Sequence, residues 1–511
     1  MKNDIFDLEI DELITNIESS LRSTTIEQIR DRFVPPDYES LKQVMNTANH
    51  IVFGRRGSGK SSLLLKARDE LNKNGNITIY LDANLFFTNN FPDILIQMLI
   101  VSIDQAIKYI EESIWFYKPF KRIKILKNAK KNKKDLETIL NLYDNAEVRI
   151  TDGDKRLAEN FINSELGSGL TTENNFIGSV KINSSSKKTY QESTDTQQGF
   201  IRDKMYELNK KIYIFGQFFS DLVEFTENDL YIFIDDFYFI NPEIQTKLLT
   251  FIHQISKGRK VWLKIGTIRF RSRWYSRDSG DFYGLKLGDD ALEINLDKTL
   301  ESLDQTKYFQ KEVLDQFDLS QGEYKPSDLM NTNARERLVL ASGGVMRDYL
   351  RLYVDSIRLA RKRINANRND HLGKLISVVD VNNAASVIGD NKLDEIPNTD
   401  PQANISEVRK SFDQIKTFCF TNGHNYFLID RDDQKLILDV GELMDLRLIH
   451  LIKSSISVSD KSGINYSGYI LDVSQYVGRR KRRGFTEIDL YSQNRYDFRR
   501  KKSIYKAENQ N

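Results

Sequence analysis

One short stretch limits the architectures open to this chain: Gly54-Arg55-Arg56-Gly57-Ser58-Gly59-Lys60-Ser61-Ser62, preceded by the apolar run Ile51-Val52-Phe53 and followed by a helical pattern as far as Leu71. A strand that turns through glycines directly into a helix opens a parallel α/β unit, because parallel neighbours need a crossover helix between them. The spacing is that of a phosphate-binding loop. Its glycines let backbone N–H groups close round phosphates, Lys60 reaches the terminal ones, and the Ser61 hydroxyl takes Mg²⁺. Residues 54–62 are the candidate nucleotide-binding segment, with ATP and Mg²⁺ as the implied ligands. A glycine-rich turn without a ligand is the plainer alternative, and the flanking strand and helix weigh against it.

At 511 residues the chain exceeds one ordinary hydrophobic core, so about two to four domains are expected. Residues 1–40 read as short amphipathic helices and a linker that Pro35-Pro36 holds extended. After the loop and its helix, Asn76–Asp82 reads as a second strand, and a third arrives only at Leu230–Ile234, so residues 91–225 are an insertion. Its first part, 91–120, has helical periodicity. Lys121 to Lys134 then hold eight cations and no acid, either a solvated helix face or linker or a contact for phosphates or an acidic partner. The Ser/Thr/Asn-rich stretch 162–198 reads as a loop or weak hairpin around Phe176–Ile182.

The third strand ends in Asp235-Asp236, and two carboxylates at a buried strand tip need a positive charge or a metal. Asp235 is the candidate metal ligand beside Ser61, and Asp236 the candidate base that orients and deprotonates water. A fourth strand, Val261–Thr267, ends in a hydroxyl that makes Thr267 a candidate sensor of the γ-phosphate. Arg269, Arg271 and Arg273 follow. Each is a candidate arginine finger toward a neighbouring subunit, unless paired with Asp289, Asp290 or Glu293. The run Leu292–Leu296 supplies a fifth strand. Further on, Gly343-Gly344-Val345-Met346-Arg347 opens a long helix, and Arg347 in its first turn suits contact with the nucleotide.

With these stations in place, the chain resembles an AAA+ ATPase, nearest the origin-recognition and initiator-like branch and its bacterial relatives, over roughly residues 30–365. Gly54–Ser61 is similar to Walker A, Ile232–Asp236 to Walker B, Thr267 to sensor 1, and Ser342-Gly343-Gly344 with Arg347 to sensor 2. The resemblance implies an α/β fold: a five-stranded parallel sheet, a helical lid carrying Arg347, and ATP between them in a site completed by a neighbour in a homo-oligomer. Lys60, Asp236, Thr267 and Arg347 would then be its catalytic residues. Two departures stand out. Asp236 occupies a position where the family usually carries Glu, and the insertion is unusually long.

The expected divisions are the ATPase core at 41–300, the lid at 301–365, a linker at 366–405 around a short helix, a winged-helix-like α/β module at 406–478 and a basic tail at 479–511. Within the module, 435–438 reads as strand-like and 441–454 as helix. From Gly478 to the last residue there are 11 Lys and Arg against four Asp and Glu, with Arg479, Arg480, Lys481, Arg482 and Arg483 in one block. Clustered cations among aromatics suit DNA, the leading partner. The single cysteine, Cys419, excludes an intrachain disulfide and a cysteine zinc site, and none of the five histidines forms a metal-spaced pair. With no apolar leader and no uninterrupted apolar span, a cytoplasmic protein without membrane contact is expected. Two functions are consistent with all this: an ATP-dependent switch or motor on DNA, and a regulatory ATPase of a bacterial antiviral defence or mobile-element system acting through a protein partner.

Overall fold

The computed structural model describes residues 5–22, 30, 32–86, 91–113, 118–141, 187–278, 281–317, 325–366, 372–392, 405–457, 464–480, 484–492 and 503–506. Helix α1 (Leu8–Arg22) and the short α2 (Ser40–Met45) precede β1 (His50–Phe53), α3 (Lys60–Lys73) and β2 (Ile77–Asp82). Then come α4 (Asp93–Ser113), α5 (Pro119–Leu140) and α6 (Lys187–Thr226), followed by β3 (Leu230–Asp235), α7 (Pro242–Ser256) and β4 (Val261–Thr267). A hairpin, β5 (Tyr275–Asp278) and β6 (Asp281–Gly284), leads to β7 (Leu292–Asn295).

Five of these strands form one parallel sheet in the order β2-β3-β4-β1-β7. β1 and β3 are buried at every position, as strands covered on both faces must be. Their side chains still alternate. Ile51 and Phe53 join a core shared with the insertion helices, whereas Val52 packs with Leu63 and Leu64 of α3 on the other face. Register places Phe53 beside Thr267 and Asp82 beside Asp235, so the glycine loop and the paired acids emerge at the same edge of the sheet.

The lid holds α8 (Leu303–Asp315), α9 (Thr332–Ser342) and α10 (Met346–Ala366), with α11 (Val378–Lys392) packed on it. The C-terminal module is α12 (Ile405–Thr421), β8 (Tyr426–Asp430), α13 (Gln434–Asp445), β9 (Ile449–Ser457) and β10 (Asn465–Leu471). Its antiparallel sheet has the order β8-β10-β9, a winged-helix-like arrangement with a single helix between the first two strands. Lid, module and α1 share one continuous core that includes Ile10, Leu338, Tyr353, Ile388, Phe412 and Val440. Among the described residues no helix is long and apolar enough to cross a membrane.

The structure differs from the sequence reading in several places. The strand-like 435–438 is the start of α13. Leu436, Val440 and Leu443 face inward at helical spacing, and the Asp433 carboxylate caps the helix by accepting from the Leu436 N–H at 3.0 Å. The helix expected over 441–454 ends at Asp445, and the β-branched residues from Ile449 form β9 instead. Residues 187–198, read as loop, begin α6, and the basic run 121–134 lies on α5. The hairpin expected at 176–182 falls outside the described residues. The linker 366–405 contains α11, whose Val381, Ala384, Ala385 and Ile388 are core residues. The last segment is only partly a tail: Leu490 and Tyr505 are buried, and 503–505 pair with β8 through the Leu428 N–H to Ser503 and the Tyr505 N–H to Leu428.

Lid and module are also joined by buried charge. The Lys392 ammonium donates to Asp472 Oδ2 at 2.8 Å, His450 Nε2 donates to the same oxygen at 2.8 Å, and the Arg447 guanidinium donates to Asp348 at 2.5 Å. Burial pushes the Asp472 carboxyl up, but Lys392 and His450 outweigh it and hold the group well below the usual carboxylate range. Asp472→Ala strands Lys392 without its main counter-charge and should cost about 3–5 kcal/mol in urea unfolding.

Candidate functional site

The loop from β1 wraps into the first turn of α3 and is pressed against the start of α10. Gly57 has φ +85°, and a Cβ on it would lie 2.5 Å from the Cβ of Arg347, so glycine is required on both counts. The Arg347 N–H donates to the Gly57 carbonyl at 3.2 Å. The Lys60 ammonium, buried at the helix start, donates to the carbonyls of Gly54 at 2.8 Å and Arg55 at 3.2 Å. Burial lowers its pKa, and Asp236 and Asp235 oppose that shift.

A cavity of about 310 Å³ opens over this junction. Its polar lining includes Arg32, Arg56 to Ser62, Asn84, Asp236, Tyr238 and Arg347, and its apolar lining includes Leu21, Phe33, Val34, Phe309, Phe317 and Leu350. The Arg32 guanidinium lies 5.0 Å from the centre of the Phe317 ring. A nucleotide needs both surfaces, one for phosphates and one for a base. Among the described residues, the lining holds four cations, Arg32, Arg56, Lys60 and Arg347, against one acid, Asp236.

At the tip of β3, Asp235 is buried, and its Oδ2 accepts from the Tyr80 hydroxyl at 2.7 Å. Its Oδ1 accepts from the Asp236 N–H at 2.9 Å. Asp236 has φ +50°, which turns its carboxylate out of the strand and into the cavity lining. Burial, then the adjacent Asp235 charge, push the Asp236 carboxyl up to about 6, with Lys60 pulling the other way. Among the described residues no group of three or more His, Cys, Asp or Glu could hold a metal alone. The Ser61 hydroxyl lines the cavity and is an oxygen donor suited to Mg²⁺ of the kind that phosphates help to hold, whereas Asp235 lies behind the lining with both oxygens accepting hydrogen bonds.

Not every residue singled out in the sequence reaches the cavity. Arg55 turns away: its N–H donates to Asp297 at 2.7 Å, and its guanidinium donates to the carbonyls of Lys298 at 2.7 Å and Gly343 at 3.1 Å. Thr267 is buried with its hydroxyl bonded to that of Ser272. Arg269 forms an ion pair with Glu293 of its own chain and lies over the Phe53 ring. Arg271 is half-buried and faces Asp445 and Glu442 of α13. Only Arg273 of the three has an exposed side chain. In the C-terminal basic block, Arg480 donates to the Ser474 carbonyl at 2.8 Å, while 481–483 and the Arg479 side chain fall outside the described residues. The sequence reading missed Phe33 and Val34, taken only as linker beside Pro35-Pro36. It also missed Tyr80, Tyr238 and Phe317, which carry no motif.

A model of the ORC-CDC6-like family matches residues 19–401. No curated protein matches the chain. Among solved structures, that of the Aeropyrum pernix ORC1 protein in complex with DNA is similar at 12% identity, covering 86% of this chain and 90% of its own, with a TM-score of 0.33.

Because the folded state raises the Asp236 pKa, it binds that proton more tightly than the unfolded chain, and stability falls as pH rises from about 4 to about 6. Asp236→Asn removes this cost. In ligand-free thermal unfolding the variant should match the parent near pH 4 and exceed it above pH 6.

Proposed function

The chain belongs to the ORC-CDC6-like family, and on that premise we propose that it is an AAA+ ATPase acting as a nucleotide-dependent switch on DNA. The observation that carries this reading is the meeting of Lys60, Asp236 and Arg347 on one cavity that also has an apolar slot. ATP lies with its base against Phe33 and Phe317 and its phosphates in the loop 56–62. Ser61 and Asp235 would hold Mg²⁺, which would offset phosphate charge. Asp236 takes a proton from water as the water oxygen bonds to the γ-phosphorus. The bond from that phosphorus to the bridging oxygen breaks, and ADP leaves. Lys60 and Arg347 hold the charge that builds on the phosphate oxygens.

The C-terminal module and the block around Arg479, Lys481, Arg482 and Arg483 are the DNA-facing part. The winged-helix-like sheet and the local excess of cations support that assignment. Arg480 is better read as a structural arginine, since its guanidinium is spent on the Ser474 carbonyl. Thr267 keeps a proposed sensor role through Ser272, and Arg273 is the arginine best placed to reach a neighbour in an oligomer.

Lys60→Ala should abolish Mg²⁺-dependent phosphate release. In the parent protein kcat/KM should rise about tenfold per pH unit below about pH 6 and level off above it, as the Asp236 base of the free protein ionises. For DNA, replacing Arg479, Lys481, Arg482 and Arg483 by Gln while keeping Arg480 and Tyr505 should weaken binding and flatten its dependence on log salt. An unchanged salt slope would move the DNA contact elsewhere. ATPase stimulated by a protein partner but not by DNA would favour the regulatory reading.

A further inference from the structure

Two arginines stand side by side in the loop, and the fold treats them oppositely. Arg55 is spent inside the protein on Asp297 and the carbonyls of Lys298 and Gly343. Arg56 lines the cavity, and its Nη1 is buried without a hydrogen-bond partner. Leaving a guanidinium donor shielded and unpaired is costly. The cost is compounded by Arg347, which lies close enough that burial, then Arg56 and Arg447, hold the Arg347 pKa down. Among the described residues, the one carboxylate in the lining that faces this pair of like charges is Asp236, which Lys60 also faces.

Such an arrangement is poised for a ligand of high negative charge. Arg56 is in electrostatic contact with Asp236 and Tyr238, so it stands at the part of the cavity where the base acts. A planar guanidinium there can take two oxygens of one phosphate at once, which an ammonium cannot. Of the arginines after β4, Arg269 is engaged by Glu293 and Arg271 faces α13, while Arg273 is exposed and does not line the cavity of its own chain.

We propose that Arg56 is the residue by which this site distinguishes a nucleoside triphosphate from a diphosphate. It grips the terminal phosphate beside Arg347 and supplies from the same chain a guanidinium otherwise expected from a neighbour. The proposal rests on the nucleotide-site reading above and adds to it a specificity determinant.

The test measures binding of a fluorescent non-hydrolysable ATP analogue and of fluorescent ADP, with Mg²⁺, to the full-length parent, R56A, R56K and K60A. R56A should lose at least about tenfold in affinity for the triphosphate and stay within about twofold for ADP, with R56K between R56A and the parent. A residue needed only for loop structure would lower both affinities together. A parallel loss for the two nucleotides, in R56A and R56K alike, overturns the proposal, as does no change in either. If the parent binds neither nucleotide and K60A is indistinguishable from it, the nucleotide-site reading fails, and this inference with it.

Discussion

A single main-chain contact, the Arg347 N–H on the Gly57 carbonyl, decides where the cations of the site stand. Because the link is between backbones, the base of the Arg347 side chain is set by the fold and not by a choice among rotamers. Arg55 reinforces the junction from behind, bonding in one stroke to Asp297 after β7 and to the Gly343 carbonyl at the lid turn. Loop, edge strand and lid turn therefore meet on one buried guanidinium. This is the rigid support that a charge-stabilising site requires, since donors that had to reorganise during reaction would lose most of their advantage.

The same junction extends into the C-terminal module. Gly343 has φ +56°, and a Cβ there would fall 2.0 Å from His450 of β9, so the module is seated directly on the turn that Arg55 holds. His450 is bound to Asp472, and Arg447 to Asp348, the residue after Arg347. The Arg447–Asp348 pair crosses from module to lid, and Asp472 also takes Lys392 of α11, so sliding the module over these helices would leave unpaired charge. Between loop and lid the contacts are the Arg347 N–H on the Gly57 carbonyl, the close approach across Gly57 and the Arg55 guanidinium on Gly343, with the cavity beside them.

What the sequence made legible was whatever chemistry forces into a local pattern. The glycine loop, the acid pair after an apolar run, and Gly343 to Arg347 are contiguous, and each lies at an end of an element whose periodicity marks it. The five strands of the sheet were readable for the same reason. The apolar side of the cavity was not, because Phe33 precedes β1 whereas Phe309 and Phe317 lie in and just after α8, and nothing in either segment distinguishes a cavity-facing ring from a core ring. Tyr80 and Arg55 were opaque for a related reason: their partners, Asp235 and Asp297, lie far along the chain. The strand-like reading of 435–438 failed because four apolar-rich residues fit either period, and only the Asp433 cap and Val440 extend the pattern to a helix.

The acid at 236 shows how backbone and side chain compensate each other. An aspartate reaches one methylene less far than the glutamate usual at this position in the resembled family. Here the residue has φ +50° and ψ +36°, a left-handed conformation that Asp adopts at lower cost than Glu, because its short carboxylate tolerates the crowding. That conformation turns the chain at the strand tip and brings the carboxylate to the cavity lining, where burial and Asp235 raise its affinity for a proton. The shorter arm is thus matched by a backbone that moves its base. Strain held in one residue of an otherwise regular strand end persists only where the surroundings hold it. The Asp235 carboxylate, tied to Tyr80 on one oxygen and to the Asp236 N–H on the other, does that. Tyr80, which carries no motif, is therefore as much a part of the acid pair as either aspartate.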